Sequence, residues 1–304
     1  MDYVLQANAL CKNYGRFRAI DRLCMSVPKG SVYGLVGKNG AGKTTLIRTV
    51  CGLQIPSSGE YSLYGKKYTE KEIRFSRRRM GAVVESPAIY LNMTAEENLR
   101  QQYRVLGLPS DSGIADLLTL VGLDHTGTKT AGRFSLGMRQ RLGIAVALAG
   151  NPDFLVLDEP ANGLDPQGIV EIRELILRLN REREITVLIS SHILDELSRL
   201  ATHYGFMDGG RVIREISAEA LDSACKKCLR AEVSDVKKLA RVLDRLQVEY
   251  KILSDMKADI FSQMKISDLA AALAADGCEL LTVREHDEDL ESYYLNLIGG
   301  KENV

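Results

Sequence analysis

Gly37-Lys38-Asn39-Gly40-Ala41-Gly42-Lys43-Thr44-Thr45 follows the apolar run Val32-Tyr33-Gly34-Leu35-Val36 and opens the helical stretch Leu46-Ile47-Arg48-Thr49-Val50. Strand, glycine-rich loop and helix start in that order predict a phosphate-binding P-loop. The glycines let several backbone N–H groups turn inward, and the helix N-terminus adds partial positive charge, so a polyphosphate can be cradled by main chain. In such a loop Lys43 reaches the outer phosphates and the Thr44 hydroxyl serves as a ligand for Mg²⁺.

Downstream, Phe154-Leu155-Val156-Leu157 reads as a buried strand ending in Asp158-Glu159-Pro160. Two acids at the C-terminal end of an apolar strand sit where α/β sheets bind ligands. The pair suits one acid held toward Mg²⁺ and the next aimed at a nucleophilic water. A second buried strand, Thr186 to Ser190, ends in Ser191-His192, while His125, His203 and His286 read as surface or packing residues. Between these stretches, Thr94-Ala95-Glu96-Glu97 is a capping box that predicts a helix from Ala95 to about Leu106. Ser135 can N-cap the helix that follows it.

Upstream, Tyr3 to Ala7 and Ile20 to Val27 have strand character, with Tyr14 on the loop between them. A strand is expected over Glu60 to Leu63. Arg74, Arg77, Arg78 and Arg79 form a basic cluster ahead of the strand Met80 to Glu85, and the expectation is a solvated basic face.

The composition bounds the rest. The 304 residues, 45% apolar and 26% charged, suit one large globular domain and a smaller one. Forty Lys+Arg balance forty Asp+Glu, so no overall field favours a nucleic-acid partner. The N-terminus carries no secretory pattern, and the most apolar stretch, Leu142 to Gly150, falls short of the roughly 20 residues of a membrane span. The expectation is a soluble chain. Six scattered cysteines fit a reducing compartment. Cys225 and Cys228 have metal-like spacing without a second pair, and read as ordinary thiols.

In their order these motifs resemble the ATP-binding subunit of ABC transporters, over about the first 215 residues. The resemblance makes residues 37–45 the Walker A motif, Phe134 to Met138 the signature and Phe154 to Glu159 the Walker B strand. It further implies that Glu159 is the catalytic base, that Asn162 to Asp165 is the D-loop, and that His192 is the switch histidine on the γ-phosphate. Tyr14 becomes the aromatic that stacks on adenine. Gly37, Asn39, Gly40, Ala41, Gly42, Lys43, Thr44 and Thr45 would hold ATP, with Thr44, Asp158 and Glu85 around Mg²⁺. Asp165 of the D-loop would join the ATP-binding residues, and Ser135 and Gly137 would act across a head-to-tail homodimer that sandwiches two ATP molecules.

Two departures are informative. The usual Leu-Ser-Gly-Gly-Gln signature reads Phe134-Ser135-Leu136-Gly137-Met138, and Glu85 stands where the family usually has Gln. Both resemble the branch of bacitracin-resistance and lantibiotic-immunity ATPases. This implies ATP hydrolysis that drives a separate permease, with the subunit peripheral on the cytoplasmic face and docked near Ser86 to Met93. A ribosome- or nucleic-acid-acting ABC ATPase fits less well, because no second cassette or long coiled coil is present. A kinase leaves Ser135-Leu136-Gly137 and His192 unexplained.

The expected fold is an α/β P-loop ATPase domain over 1–216, with a helical subdomain at about 86–150. Residues 217–304 read as a small α+β domain with strands at Cys228–Val233, Tyr250–Ser254, Ala258–Met264 and Glu279–Arg284 around helices at Asp235–Leu246 and Ser267–Ala275. A last helix is expected over Leu290–Ile298. The order βαββαβ is ferredoxin-like and names no function. A dimer contact is the first expectation for it, a ligand sensor the second.

Overall fold

The computed structural model describes residues 2–224, 227–261, 264–287 and 290–299. The chain divides into two compact units, Met1–Ala218 and Glu219–Val304.

The first unit opens with a hairpin of β1 (Tyr3–Tyr14) and β2 (Phe17–Pro28), followed by β3 (Val32–Val36), α1 (Lys43–Val50), β4 (Ser58–Leu63) and β5 (Lys66–Lys67). Then come α2 (Ile73–Arg78), β6 (Met80–Val83), α3 (Ala95–Leu106), α4 (Ile114–Leu120), α5 (Leu136–Leu148), β7 (Phe154–Asp158) and α6 (Pro166–Arg183). The unit closes with β8 (Thr186–Ser191), α7 (Leu194–Ser198), β9 (His203–Asp208) and β10 (Arg211–Ser217). One antiparallel sheet has the order β2-β1-β4-β5, and a second, mostly parallel sheet has the order β10-β9-β3-β8-β7-β6. β3, β7 and β8 are buried at every position, which is why they read as unbroken apolar runs. Because β3, β8 and β7 are parallel neighbours, the P-loop, Ser191-His192 and Asp158-Glu159 all leave the sheet at one edge.

α1 lies in the core between the sheets. Its Leu46, Ile47 and Val50 pack in one cluster with Leu10, Ile20 and Leu23 of the antiparallel sheet and with Leu35, Phe154 and Val156 of the parallel one. The helix behind the P-loop is thereby fixed by apolar burial worth about 1.5–3 kcal/mol per large side chain.

The hairpin is longer than the alternation predicts, and Tyr14 ends β1 instead of sitting on a loop. Register shifts between Ala7 and Leu10, with left-handed backbone at Ala9 (φ 46°) and Arg22 (φ 47°), break the period-2 pattern. The strand expected to reach Glu85 stops at Val83. The basic cluster is only partly a solvated face: Arg77 Nη2 donates to the Tyr61 hydroxyl at 2.7 Å, and Arg79 pairs with Asp153 and stacks 3.8 Å over the Tyr64 ring.

Residues between β6 and β7 are largely helical. The Thr94–Glu97 capping box forms in both directions, at 3.2 and 2.8 Å, and α3, α4 and α5 pack on one another.

In the second unit α8 (Ala218–Ala224) leads to β11 (Lys227–Val233), α9 (Val236–Arg245), β12 (Glu249–Ser254), β13 (Lys257–Phe261), α10 (Ile266–Ala275), β14 (Leu280–Asp287) and α11 (Leu290–Gly299). The antiparallel sheet has the order β12-β13-β11-β14, the ferredoxin-like arrangement. Leu229, Ala231 and Val233 alternate along β11 onto Leu239, Val242 and Leu243 of α9 and Leu269 and Leu273 of α10, which gives this unit its own core. Cys225 lies outside the described residues, as does the side chain of His286. Cys228 is a buried free thiol.

Candidate active site

The P-loop turns as its glycines require. Gly42 N-caps α1 with φ 106°, and a Cβ there would stand 2.6 Å from the Ala19 carbonyl oxygen. Only glycine permits both the left-handed backbone and this approach. The opening of β2 is tied to the same loop: Asp21 N donates to Gly210 O at 2.9 Å, and Gly210 N to Ala41 O at 3.0 Å.

Lys43 is 5% exposed. Its Nζ donates to Gly37 O at 2.6 Å and to Lys38 O at 3.3 Å, and stands 3.2 Å from Glu159 Oε1. Glu159 Oε2 lies 2.6 Å from His192 Nδ1. A carboxylate is acceptor-only, so Nδ1 carries the proton in this pair. Glu159 leaves β7 with left-handed backbone, φ 49°. Such a conformation costs about 1–3 kcal/mol in a non-glycine residue. It is held by the Glu159 N–H, which donates to Ser190 Oγ at 3.0 Å and to Ser190 O at 3.2 Å. The same Ser190 hydroxyl donates to Asp158 Oδ1 at 2.7 Å. One serine on β8 thus positions both acids at the end of β7. Burial first, and the Asp158 charge second, push the neighbouring Cys51 thiol up to about 12, which keeps it inert.

A cavity of about 300 Å³ is lined by Phe17, Ala19, Asn39, Gly40, Gly42, Lys43, Thr44, Thr45, Glu159 and Asn162. It gathers Asn39, Gly40, Gly42, Lys43, Thr44 and Thr45 of the P-loop and the predicted base Glu159, while Gly37, Ala41, Asp158 and His192 are not among its lining residues. Thr44 and Asp158 offer hydroxyl and carboxylate oxygens, the donor type that Mg²⁺ takes. Among the described residues no three His, Cys, Asp or Glu side chains form a metal-holding group, which suits Mg²⁺, an ion that usually takes one or two protein ligands and completes its shell with water and phosphate oxygens.

Several predicted residues lie elsewhere. Tyr14 does not line this cavity; its hydroxyl donates to Gln54 Oε1 at 2.5 Å, and Lys12 Nζ stands 5.4 Å from its ring centroid. Glu85, 56% exposed and with φ 61°, accepts from Arg48 Nη2 of α1 at 2.5 Å. The charge of Glu85 is thus met by the Arg48 guanidinium. Asp165 N-caps α6, accepting from Gly168 N at 3.0 Å. Ser135 N-caps α5, accepting from Met138 N at 3.2 Å, and both it and Gly137 are absent from the cavity lining. Sequence reasoning missed Phe17, Arg48 and Ser190. No motif marks them, although Ser190 stands one residue before the predicted Ser191-His192.

Comparison with known proteins decides the family. Residues 20–162 match the ABC transporter model. Over 305 aligned residues the chain is 39% identical to the bacitracin transport ATP-binding protein BcrA of Bacillus licheniformis, covering 99% of both chains. The chain is an ABC transporter ATP-binding subunit. It is also 41% identical over 212 residues to the lantibiotic transport ATP-binding protein SrtF of Streptococcus pyogenes, covering 70% of this chain and 90% of that one. Among solved structures, the ATP-binding cassette MJ0796, captured as a dimer in a post-hydrolysis state with ADP and Pi, superposes with a TM-score of 0.62 at 25% identity, covering 70% of this chain and 98% of that one. This ABC subunit binds and hydrolyses ATP. Among its described residues no helix is long and apolar enough to cross a membrane.

Proposed function

We propose that this subunit, working as a homodimer, powers a separate membrane permease that exports an antimicrobial peptide or a comparable amphipathic compound. The observation that carries its catalytic part is the linkage of Lys43, Glu159 and His192 at the edge where β3, β7 and β8 end. The full-length likeness to a bacitracin transport protein supports the cargo class.

In this reading the N–H groups of the P-loop and the start of α1 hold the phosphates, with Lys43 as the point charge between the outer two. Glu159 takes a proton from the attacking water. His192, with Nδ1 turned to Glu159, presents its other ring nitrogen to the γ-phosphate. Thr44 and Asp158 would hold Mg²⁺, which neutralises phosphate charge when bound. Ser135 and Gly137 serve the cavity of a second copy, because in their own chain they do not line it. Two copies arranged head to tail then complete two equal sites, and Asp165 shapes the loop between them through its cap on α6.

The permease has a candidate seat in a groove of about 680 Å³ lined by Arg74, Arg78, Val83, Ala88, Val105 and Leu106. It includes part of the Ser86 to Met93 segment and starts next to Glu85, so docking from the cytoplasmic side would reach α1 through Arg48. The test is survival of cells carrying the subunit together with the membrane protein that co-purifies with it. The parent should raise tolerance to a cyclic or lanthionine-bridged peptide, and Glu159→Gln should not. Equal tolerance in both would sink the proposal.

A further inference from the structure

We propose that α2 carries a contact of the subunit's own with acidic lipid headgroups, separate from any contact made through a permease. Residues 66–79 hold seven Lys and Arg against two Glu, in a chain whose net charge is zero. Helical period divides this segment into two faces. Ile73 and Ser76 are buried, and Arg77 turns inward with them: a Cβ on Gly52 would stand 2.6 Å from its Cζ, and its Nη2 donates to the Tyr61 hydroxyl at 2.7 Å. Arg79, just beyond the helix, is taken by Asp153 and the Tyr64 ring. These two arginines fasten α2 to the fold.

Arg74, Phe75 and Arg78 form the opposite face. The Phe75 ring is 53% exposed, with the Arg74 guanidinium 4.8 Å and the Arg78 guanidinium 5.9 Å from its centroid. Among the described residues neither of these arginines has an ion-pair partner. The fold thus holds an aromatic ring in water between two guanidinium groups whose charge nothing in the chain neutralises. Guanidinium is a fork of donors suited to phosphate, and a ring flanked by cations suits the boundary between headgroups and acyl chains. Val105 and Leu106 line the same groove as Arg74 and Arg78 and are themselves exposed, which extends the apolar part of the patch.

A nucleic acid fits this face poorly. The helix is only about 9 Å long, room for one or two phosphates and not for a track of them. The exposed ring and aliphatic side chains also have no use on a phosphate backbone. An acidic bilayer meets both parts of the patch, charge at its surface and hydrocarbon beneath. The inference rests on the docking reading only for which side of the subunit faces the membrane.

The test is co-sedimentation of the full chain with protein-free vesicles, one set of phosphatidylcholine alone and one of phosphatidylcholine mixed with phosphatidylglycerol. Partition onto the acidic set should exceed that onto the neutral set at least about tenfold at about 0.1 M salt, and the difference should vanish near about 1 M, where the Debye length has shrunk from about 10 Å to about 3 Å. Arg74→Gln and Arg78→Gln should each weaken the acidic partition about fivefold, the factor that one cation supplies at such a surface. Phe75→Ala should weaken it as well, and Phe75→Trp, a ring that favours the interface, should restore it. Arg181→Gln combined with Arg183→Gln removes two exposed charges from the end of α6 and should leave partition within about twofold of the parent. The proposal is overturned if Arg74→Gln combined with Arg78→Gln partitions as the parent does, if the α6 pair costs as much, or if Phe75→Ala is silent. A parent that ignores acidic vesicles would leave this face to a protein partner and overturn the proposal too. The permease reading survives each of these failures, because the vesicles hold no permease.

Discussion

Glu159 Oε1 stands 3.2 Å from the ammonium of Lys43, so the proposed base occupies the cation that the outer phosphates require. If Lys43 holds the outer phosphates as proposed, nucleotide would draw it from Glu159 and leave that carboxylate beside His192, 2.6 Å away. The competition is a local one, since Lys43 is buried and Glu159 nearly so. In Glu159→Gln the phosphates no longer compete with a carboxylate. ATP affinity should therefore equal or exceed that of the parent, while turnover falls at least about a hundredfold, the scale of a lost general base. Binding isotherms and steady-state phosphate release measure the two arms. Weakened ATP binding, or turnover within about tenfold of the parent, contradicts these roles.

The Glu85–Arg48 pair joins the end of the β6 segment to α1. Both side chains are more than a third exposed, 56% and 36%, so the pair should contribute only about 0–1 kcal/mol to stability. Glu85→Gln and Arg48→Ala should accordingly unfold near the parent temperature and keep basal ATPase within a few-fold. If the permease docks as proposed, transport should fall further than ATPase does, because Glu85 lies between Val83 and Ala88 of the proposed groove and its partner Arg48 is on the P-loop helix. Resistance in cells, set against ATPase of the isolated subunit, checks this. Equal transport by parent and variants would leave Glu85 without a coupling role.

Asp21 secures the hairpin from the other side. Arg211 donates to it through Nε at 2.7 Å and Arg18 through Nη1 at 2.8 Å, and chiefly the Arg211 bond holds its carboxyl below the usual range against an opposing push from burial. A lowered folded-state pKa stabilises the fold at pH above the unfolded value, about 3.9, and that contribution is lost as the pH falls through the folded value. Asp21→Asn should lower the melting temperature near neutral pH, with the gap closing as the pH is taken below about 4. A gap that persists unchanged in acid would mean that shape, and not charge, is what Asp21 supplies.

The P-loop, the two acids of β7 and the Ser135 cap were legible in the sequence because each is a local pattern. Glycine spacing, an apolar run ending in acids and a helix-start residue need no distant partner to be read. The βαββαβ order of the second unit was legible for the same reason, since Leu229, Ala231 and Val233 alternate in strand period while Val236, Leu239, Val242 and Leu243 follow helical period. Pairings across the fold were not legible. Arg48 and Glu85 are 37 residues apart in the chain, and nothing local in either directs it to the other. Tyr14 and Phe17 are both aromatic and flank one turn. Phe17 lines the cavity and Tyr14 does not, a placement set by packing such as the approach of Ala19 to Gly42, and the irregular backbone at Ala9 and Arg22 breaks the period-2 pattern of both strands.

The central claim is that Ser135 and Gly137 of one copy complete the cavity of another. Light scattering on the Glu159→Gln subunit, with and without ATP, tests it most directly when the measurement is repeated with Ser135→Arg added. The single variant should be a monomer alone and a dimer with ATP. The double variant should bind ATP with the same affinity and remain a monomer, because the arginine obstructs the partner's site and leaves its own P-loop untouched. An ATP-dependent dimer that survives Ser135→Arg, or a Ser135→Arg monomer that no longer binds ATP, would contradict the arrangement.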